Sequence, residues 1–324
     1  MKRHLTKLLV LAVLVIVTWT AGASVLAQGQ FPSKPIRIIV PYAAGGGTDI
    51  VARRLAQDLE KILGVNVIVA NVVGGSGAIG RAEAAKAPAD GYTLFMDDKA
   101  FLSSYYMGVS TVGWRDMQPV CRLDGASFVL VVSSKSPFKT VSDLIDYAKK
   151  NPGVVTIAVS GIGGVSHLNA EAIKIAGNVN VVIVPFEGGA MTRTAVAGGH
   201  VTATIAQVAE IYSFVQAGDF RILAVSDDQR NPGIPDVPTF RESGVDFSLD
   251  QWRGIYAPKG TPATVVEKLE NAFREAMETD GFKQLCAQNF TRPMYLNHKE
   301  FAAELEKTDA VLKDIVTKAG LLKK

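Results

Sequence analysis

Ile36-Arg37-Ile38-Ile39-Val40-Pro41-Tyr42-Ala43-Ala44-Gly45-Gly46-Gly47-Thr48-Asp49, running on through Ile50 to Gln57, is the stretch from which this chain is read. A short β-rich apolar run stops at Pro41. A loop of small residues follows, and a helix opens at Thr48 or Asp49, carrying Ile50, Val51, Arg54, Leu55 and Asp58. The first N–H groups of a helix have no partner inside it, and the helix dipole makes that end favour an anion. Glycine lets a ligand approach the backbone closely. The stretch therefore reads as a small-anion site at a helix N-terminus, with a plain strand-to-helix turn as the alternative.

The first 27 residues read as a secretory signal rather than as part of the fold. Lys2, Arg3 and Lys7 form a basic start, Leu8 to Val17 is an apolar core too short to span a bilayer, and Val25-Leu26-Ala27 precedes the expected cleavage. No cysteine follows, which argues against a lipid anchor. Those three basic residues account for the whole net charge of +3, so the remainder is neutral and gives no footprint for nucleic acid or an anionic membrane. The expectation is an exported, soluble monomer.

Strands and helices then alternate, which predicts an α/β fold. Val65 to Val69 and Tyr92 to Met96 read as strands, with a short helix at Arg81 to Ala87 between them. Cys121 to Asp124 and Ser127 to Val132 are extended, and Thr140 caps a helix that Asn151-Pro152-Gly153 ends. A second set follows: strands at Val155 to Val159, Val181 to Val184, Thr202 to Ile205 and Arg221 to Val225, with helices between. Trp252 to Ala257 is extended again, and the tail from Pro262 is helical. Two lobes follow from this pattern, each a mostly parallel sheet flanked by helices, with a ligand cleft between them. Lobe one is 28–125 plus 252–324, and lobe two is 126–251. Cys121 and Cys286 are too few for a disulfide framework and read as buried free thiols.

Several motifs compete for function. Gly75-Ser76-Gly77-Ala78-Ile79-Gly80 matches the dinucleotide fingerprint by letter, with Asp97 and Asp98 about twenty residues on. Asn71 to Gly74 separate it from its strand, and its helix is short. A nicotinamide-dependent oxidoreductase is thus the alternative from another class. Gly45-Gly46-Gly47-Thr48 lacks a P-loop ending, and the four histidines show no metal-ligand spacing. No cofactor or metal is expected. Val159-Ser160-Gly161-Ile162-Gly163-Gly164-Val165-Ser166-His167 and Val184-Pro185-Phe186-Glu187-Gly188-Gly189 repeat the strand, glycine loop and helix start in the second half.

These residues resemble the Bug (TctC-like) solute-binding proteins of tripartite tricarboxylate transporters. The resemblance starts at Pro32 to Arg37 and Val40 to Arg53. It continues through Pro88-Ala89-Asp90-Gly91-Tyr92, Lys139 to Leu144, Ser160 to Gly163, Gly188-Gly189-Ala190, Pro235 to Thr239 and Ala257 to Pro262. It implies a periplasmic two-lobed receptor, type II-like and not an enzyme, that closes on a small carboxylate and delivers it to permease subunits; a membrane sensor kinase is the alternative partner. By the same resemblance, Tyr42, Ala43, Ala44, Gly46 and Thr48 hold waters beneath the ligand carboxylate, and Ser160, Gly161, Gly164 and Ser166 add donors.

The chain departs from the family at the rest of the wall. Gly164-Val165-Ser166-His167 replaces Ser/Thr-Ser-Pro-His, Phe186-Glu187-Gly188-Gly189 replaces Tyr-Lys-Gly-Gly, and Ala206-Gln207 replaces Asp-Asn. Asp97-Asp98-Lys99 stands where small and hydroxyl residues are usual. Lys99, Gly164, Glu187, Gln207 and Arg253 are therefore where the rest of the ligand is to be read, with Phe186 and Gly188 as further candidate ligand-binding residues. Arg253 is expected either to clamp a second carboxylate bidentately or to lie on the surface. Glu187 and Asp98 are expected as solvated rim charges; facing the cleft, they would instead favour a ligand that also carries an amine or cation.

Overall fold

The computed structural model describes residues 31–323, so the expected export signal lies outside the described residues. The chain builds two sheets. The first begins with β1 (Ile36–Val40), α1 (Gly47–Leu63), β2 (Val67–Asn71), α2 (Ala78–Lys86), β3 (Thr93–Asp98), α3 (Ala100–Tyr106) and β4 (Met117–Ala126). The second holds β5 (Phe128–Ser133), α4 (Val141–Lys150), β6 (Thr156–Val159), α5 (Val165–Ala176), β7 (Val182–Pro185), α6 (Gly189–Ala197), β8 (Ala203–Gln207), α7 (Val208–Gln216) and β9 (Phe220–Val225). The chain then returns to the first sheet with β10 (Gln251–Pro258), α8 (Ala263–Glu278), α9 (Asp280–Gln288), β11 (Thr291–Leu296) and α10 (His298–Lys318).

The strand orders are β11-β4-β10-β3-β1-β2 and β7-β6-β8-β5-β9. The α/β architecture is as expected, but the sheets are mixed rather than mostly parallel. β1 pairs in parallel with β2 and β3, and β6 with β7 and β8. Beside these, β10 is antiparallel to both β3 and β4, and β5 to both β8 and β9. The reason is topological. β4 carries the chain out of the first sheet and its neighbour β10 carries it back, so the two must run in opposite directions.

Side-chain alternation makes β1 a two-faced strand. Ile36, Ile38 and Val40 enter a core with Val51, Leu55 and Leu59 of α1 and Leu269 and Phe273 of α8. Ile39 faces the other way, toward the cluster holding Phe95, Trp252, Tyr256 and Phe301. α1 is amphipathic, as the spacing of those apolar residues requires. Thr140 caps α4 as expected: its hydroxyl accepts the Asp143 N–H at 3.1 Å, and Asp143 Oδ2 accepts the Thr140 N–H at 2.9 Å.

The chain changes sheets at Ser127 and again between Val225 and Gln251. These two crossings are tied together. Ser127 Oγ donates to Asp227 Oδ2 at 2.6 Å, and Asn231 Nδ2 donates to Ser127 Oγ at 2.8 Å and to the Phe290 carbonyl at 3.0 Å. The Leu249 N–H adds a bond to the Ser226 carbonyl at 2.7 Å.

Candidate functional site

β1 delivers the chain to the first loop, where Ala43 to Gly47 are exposed and Thr48 and Asp49 are buried. Gly46 is the extended N-cap of α1 and supplies no side-chain cap, so the leading N–H groups of the helix face outward without one. Asp49 braces the loop from behind. Its Oδ2 accepts the Gly45 N–H at 2.8 Å and Arg53 Nε at 3.0 Å, and its Oδ1 accepts Asn71 Nδ2 at 2.8 Å. Burial alone would raise the Asp49 pKa, but these bonds hold it below the ordinary value. Tyr42 turns inward: its hydroxyl donates to Asp97 Oδ1 at 2.6 Å and lies 3.1 Å from Asp98 Oδ1.

Arg253 projects from β10, where it pairs in register with Asp98 of β3. It is 2% exposed, so the surface alternative is excluded. Nη1 binds the Asp124 carboxylate. Nε has no hydrogen-bond partner among the described residues. Nη2 lies 2.9 Å from the point where a Cβ on Gly47 would stand, and Gln207 Oε1 lies 4.0 Å from that same point. The guanidinium thus meets the first turn of α1. Burial pushes the Asp124 carboxyl upward against the opposing pull of Arg253.

Gln207 ends β8 in the second sheet. Its Nε2 donates to Gln251 Oε1 at 2.7 Å, and Gln251 Nε2 donates to Asp98 Oδ2 at 2.5 Å. Asp98 Oδ1 accepts the Ala100 N–H at 2.8 Å. Burial, then the neighbouring Asp97 charge, pushes the Asp98 carboxyl up to about 6. Asp98 is therefore a buried group rather than a rim charge; its hydrogen bonds compensate what burial takes away.

The second-sheet loop is self-braced. The Ser160 N–H donates to Ser166 Oγ at 3.1 Å, and the two hydroxyls are 3.0 Å apart. The Gly163 N–H donates to His167 Nδ1 at 2.9 Å, and burial keeps His167 below its ordinary pKa. Ser103 Oγ of α3 donates to the Gly163 carbonyl at 3.1 Å, so this loop touches the first sheet unit. Gly161 and Gly164 flank it, half-buried.

The sequence-predicted residues separate into groups. Arg253 and Gln207 converge on the Gly46-to-Thr48 turn, and Tyr42 joins them through Asp98. Ser160 and Ser166 pair with each other. Phe186 and Gly188 are half-buried, the Gly188 N–H donating to the Phe186 carbonyl at 3.1 Å, while Glu187 is exposed. Lys99 does not offer its charge to this wall: its Nζ is ion-paired with Asp250. Sequence reasoning missed Asp124 and Gln251, which orient Arg253 and Gln207. Open grooves of about 540 and 470 Å³ near Lys135 and Ala197 share no residue with this site.

The dinucleotide-like loop has a different content. Arg81, fully buried, fills it: Nε binds Asp97 Oδ2 at 2.8 Å, and Nη1 binds the Ser76 carbonyl at 3.1 Å and Ser104 Oγ at 2.9 Å. Gly80 is required by close packing, since a Cβ there would lie 2.8 Å from the Val72 carbonyl oxygen. Gly77 packs on the Arg81 guanidinium and Gly80 on Pro41.

Two helix-flanked mixed sheets, joined by paired crossings, with glycine loops at strand ends, define a periplasmic-binding-protein fold. The model of the tripartite tricarboxylate transporter family receptor, TctC, matches residues 51–321, and the chain belongs to that family of solute-binding receptors. A curated relative, the "UPF0065 protein in gbd 5'region" of Cupriavidus necator, is 34% identical, with 93% of each chain covered. Among solved structures, a TctC solute-binding protein from Polaromonas superposes with a TM-score of 0.79 at 31% identity, covering 89% of this chain and 99% of that one. A Rhodopseudomonas palustris protein with adipate gives 0.78 at 28% identity, covering 90% and 98%. MatC from the same organism, with bound malate, gives 0.74 at 26% identity, covering 88% and 100%.

Proposed function

We propose that this chain is a periplasmic receptor that captures a small carboxylate between two closing lobes and hands it to the permease of a tripartite transporter. The lobes are 28–125 plus 252–324 and 126–251, hinged at the Ser127 and Trp252 crossings. The observation that carries the reading is the convergence of Arg253 Nη2 on the uncapped first turn of α1. Backbone N–H groups, a helix dipole and a buried guanidinium form a donor set suited to an oxyanion. The adipate and malate of the two similar structures support a carboxylate as its occupant.

Lobe one offers Tyr42 to Thr48 with Arg253; lobe two offers Ser160 to Ser166, Gly188 and Gln207. A thermal-shift screen of mono-, di- and tricarboxylates and aromatic acids tests the reading. A ligand at 100 times its Kd adds about 2.7 kcal/mol of stability, so a true ligand raises Tm clearly. A shift with NAD and none with any carboxylate overturns the proposal.

A further inference from the structure

We propose that the ligand carries a hydrogen-bond donor, a hydroxyl or an ammonium, next to its acid group, because Asp98 and Gln251 fix Gln207 with its acceptor oxygen beside the anion-holding donors. The inference rests on the receptor reading above and narrows its substrate class.

The chain of orientation starts at a charge. An ionised Asp98 can only accept hydrogen bonds. Its Oδ1 takes the Ala100 N–H, so Oδ2 faces Gln251 and must receive that residue's amide nitrogen. Gln251 Oε1 then points the other way and accepts Gln207 Nε2. One end of the Gln207 amide is now committed as donor, which leaves Oε1 as the end turned toward Gly47. An isolated glutamine presents either end at will; this one is set by a carboxylate two links away.

Beside Gly47, donors and an acceptor therefore stand together: Arg253 Nη2 lies 2.9 Å, and Gln207 Oε1 4.0 Å, from the point where a Cβ on Gly47 would stand, at the uncapped start of α1. Donors alone would take any carboxylate of fitting size. With the acceptor added, an acid lacking a nearby donor leaves Gln207 Oε1 desolvated and unpaired. That discriminates strongly, because a site built to bond a hydroxyl or amine rejects the analogue without one.

The test is calorimetric titration of the full chain with matched acids: propionate, lactate and alanine; succinate, malate and aspartate; glutarate, 2-hydroxyglutarate and glutamate. In the set that fits, the hydroxy or amino member is expected to bind about tenfold tighter, or more, than the unsubstituted acid. Gln207→Leu should collapse that ratio to within about twofold, whatever happens to the absolute affinities. Gln251→Leu, which frees the Gln207 amide to turn, should collapse it too, an effect a merely structural role would not have. Equal binding of substituted and unsubstituted acids by the unaltered protein, or an unchanged ratio in both variants, overturns the inference and leaves the receptor reading standing. Binding of no acid in any set overturns the inference, and if the wider screen of longer, tricarboxylic and aromatic acids is silent too, the receptor reading falls with it.

Discussion

Arg253 stands over Gly47: its Nη2 lies 2.9 Å from where a Cβ on that glycine would be. The guanidinium is buried and held by Asp124, so it has little freedom to swing aside. Gly47→Ala should therefore displace the guanidinium or bend the loop. Loss of one charge-assisted bond weakens ligand binding by about tenfold to a hundredfold. Global stability should change by no more than about 1 kcal/mol, because alanine is the better helix former. Titration calorimetry and urea unfolding measure the two effects, and unchanged affinity would show that the approach has no role in binding.

The Arg253–Asp124 pair separates folding from binding. Arg253→Leu leaves the fully buried Asp124 unpaired, at a cost of about 3–5 kcal/mol. The double substitution Arg253→Leu, Asp124→Leu should recover most of that stability in urea unfolding and none of the ligand affinity. The guanidinium meets the helix end proposed to hold the first carboxylate, so we expect it to serve that group rather than a second one. Affinity loss should accordingly be similar for mono- and dicarboxylates. A markedly larger loss for dicarboxylates would restore the second clamp.

Asp227, at the crossing, gives a pH signature. Burial pushes its carboxyl from 3.8 up to about 6, against the Ser127 hydrogen bond and with the help of the Asp250 charge. The folded state then binds the proton more tightly than the unfolded chain. Its contribution is fully present below about pH 4 and is lost as pH rises through about 6, each tenfold gain in proton affinity being worth ~1.4 kcal/mol. Comparing the protein with Asp227→Asn cancels groups that titrate alike in both, including His167, which acts in the opposite sense. The stability difference should move in favour of Asp227 by roughly 2 kcal/mol between about pH 7 and pH 4. A difference that is flat with pH, measured by urea unfolding, contradicts this.

Cys121 and Cys286 are buried free thiols whose pKa values burial raises. A thiol reagent should leave both untouched in the native protein over minutes and label both in denaturant. Rapid native labelling of either would place it at the surface.

The local grammar of the chain was legible: the strand, glycine loop and helix from Ile36, and the Thr140 cap, are both set by neighbours in sequence. β11 and α3 were not, because Thr291–Leu296 carries an internal Pro293 and Ala100–Tyr106 is under two turns long. The site was half legible. Gly46 and Thr48 announce themselves through their loop, whereas the meaning of Arg253 depends on Asp124, and that of Lys99 on Asp250, partners far off in the chain. A charge beside Trp252 looks the same in sequence whether it meets solvent, a ligand or a distant carboxylate. The Gly75 to Gly80 motif, kept in the sequence reading only as an alternative, is ambiguous for the same reason: Arg81 fills the loop, held by Asp97 and Ser104 from later in the chain.

The placement of β10 also dictates an order of assembly. It is the strand between β3 and β4, yet it follows every strand of the second sheet in the chain. As the polypeptide emerges from its N-terminus, β3 and β4 have a gap between them that nothing can fill until Gln251 to Pro258 arrives. The second sheet, contiguous from Phe128 to Val225, has all its strands by then and can close first. Arg253 and Gln251 arrive on that late strand, followed only by β11, so the candidate site is among the later parts of the molecule to form. The first sheet depends on contacts of high sequence separation, so it is expected to form more slowly than the second.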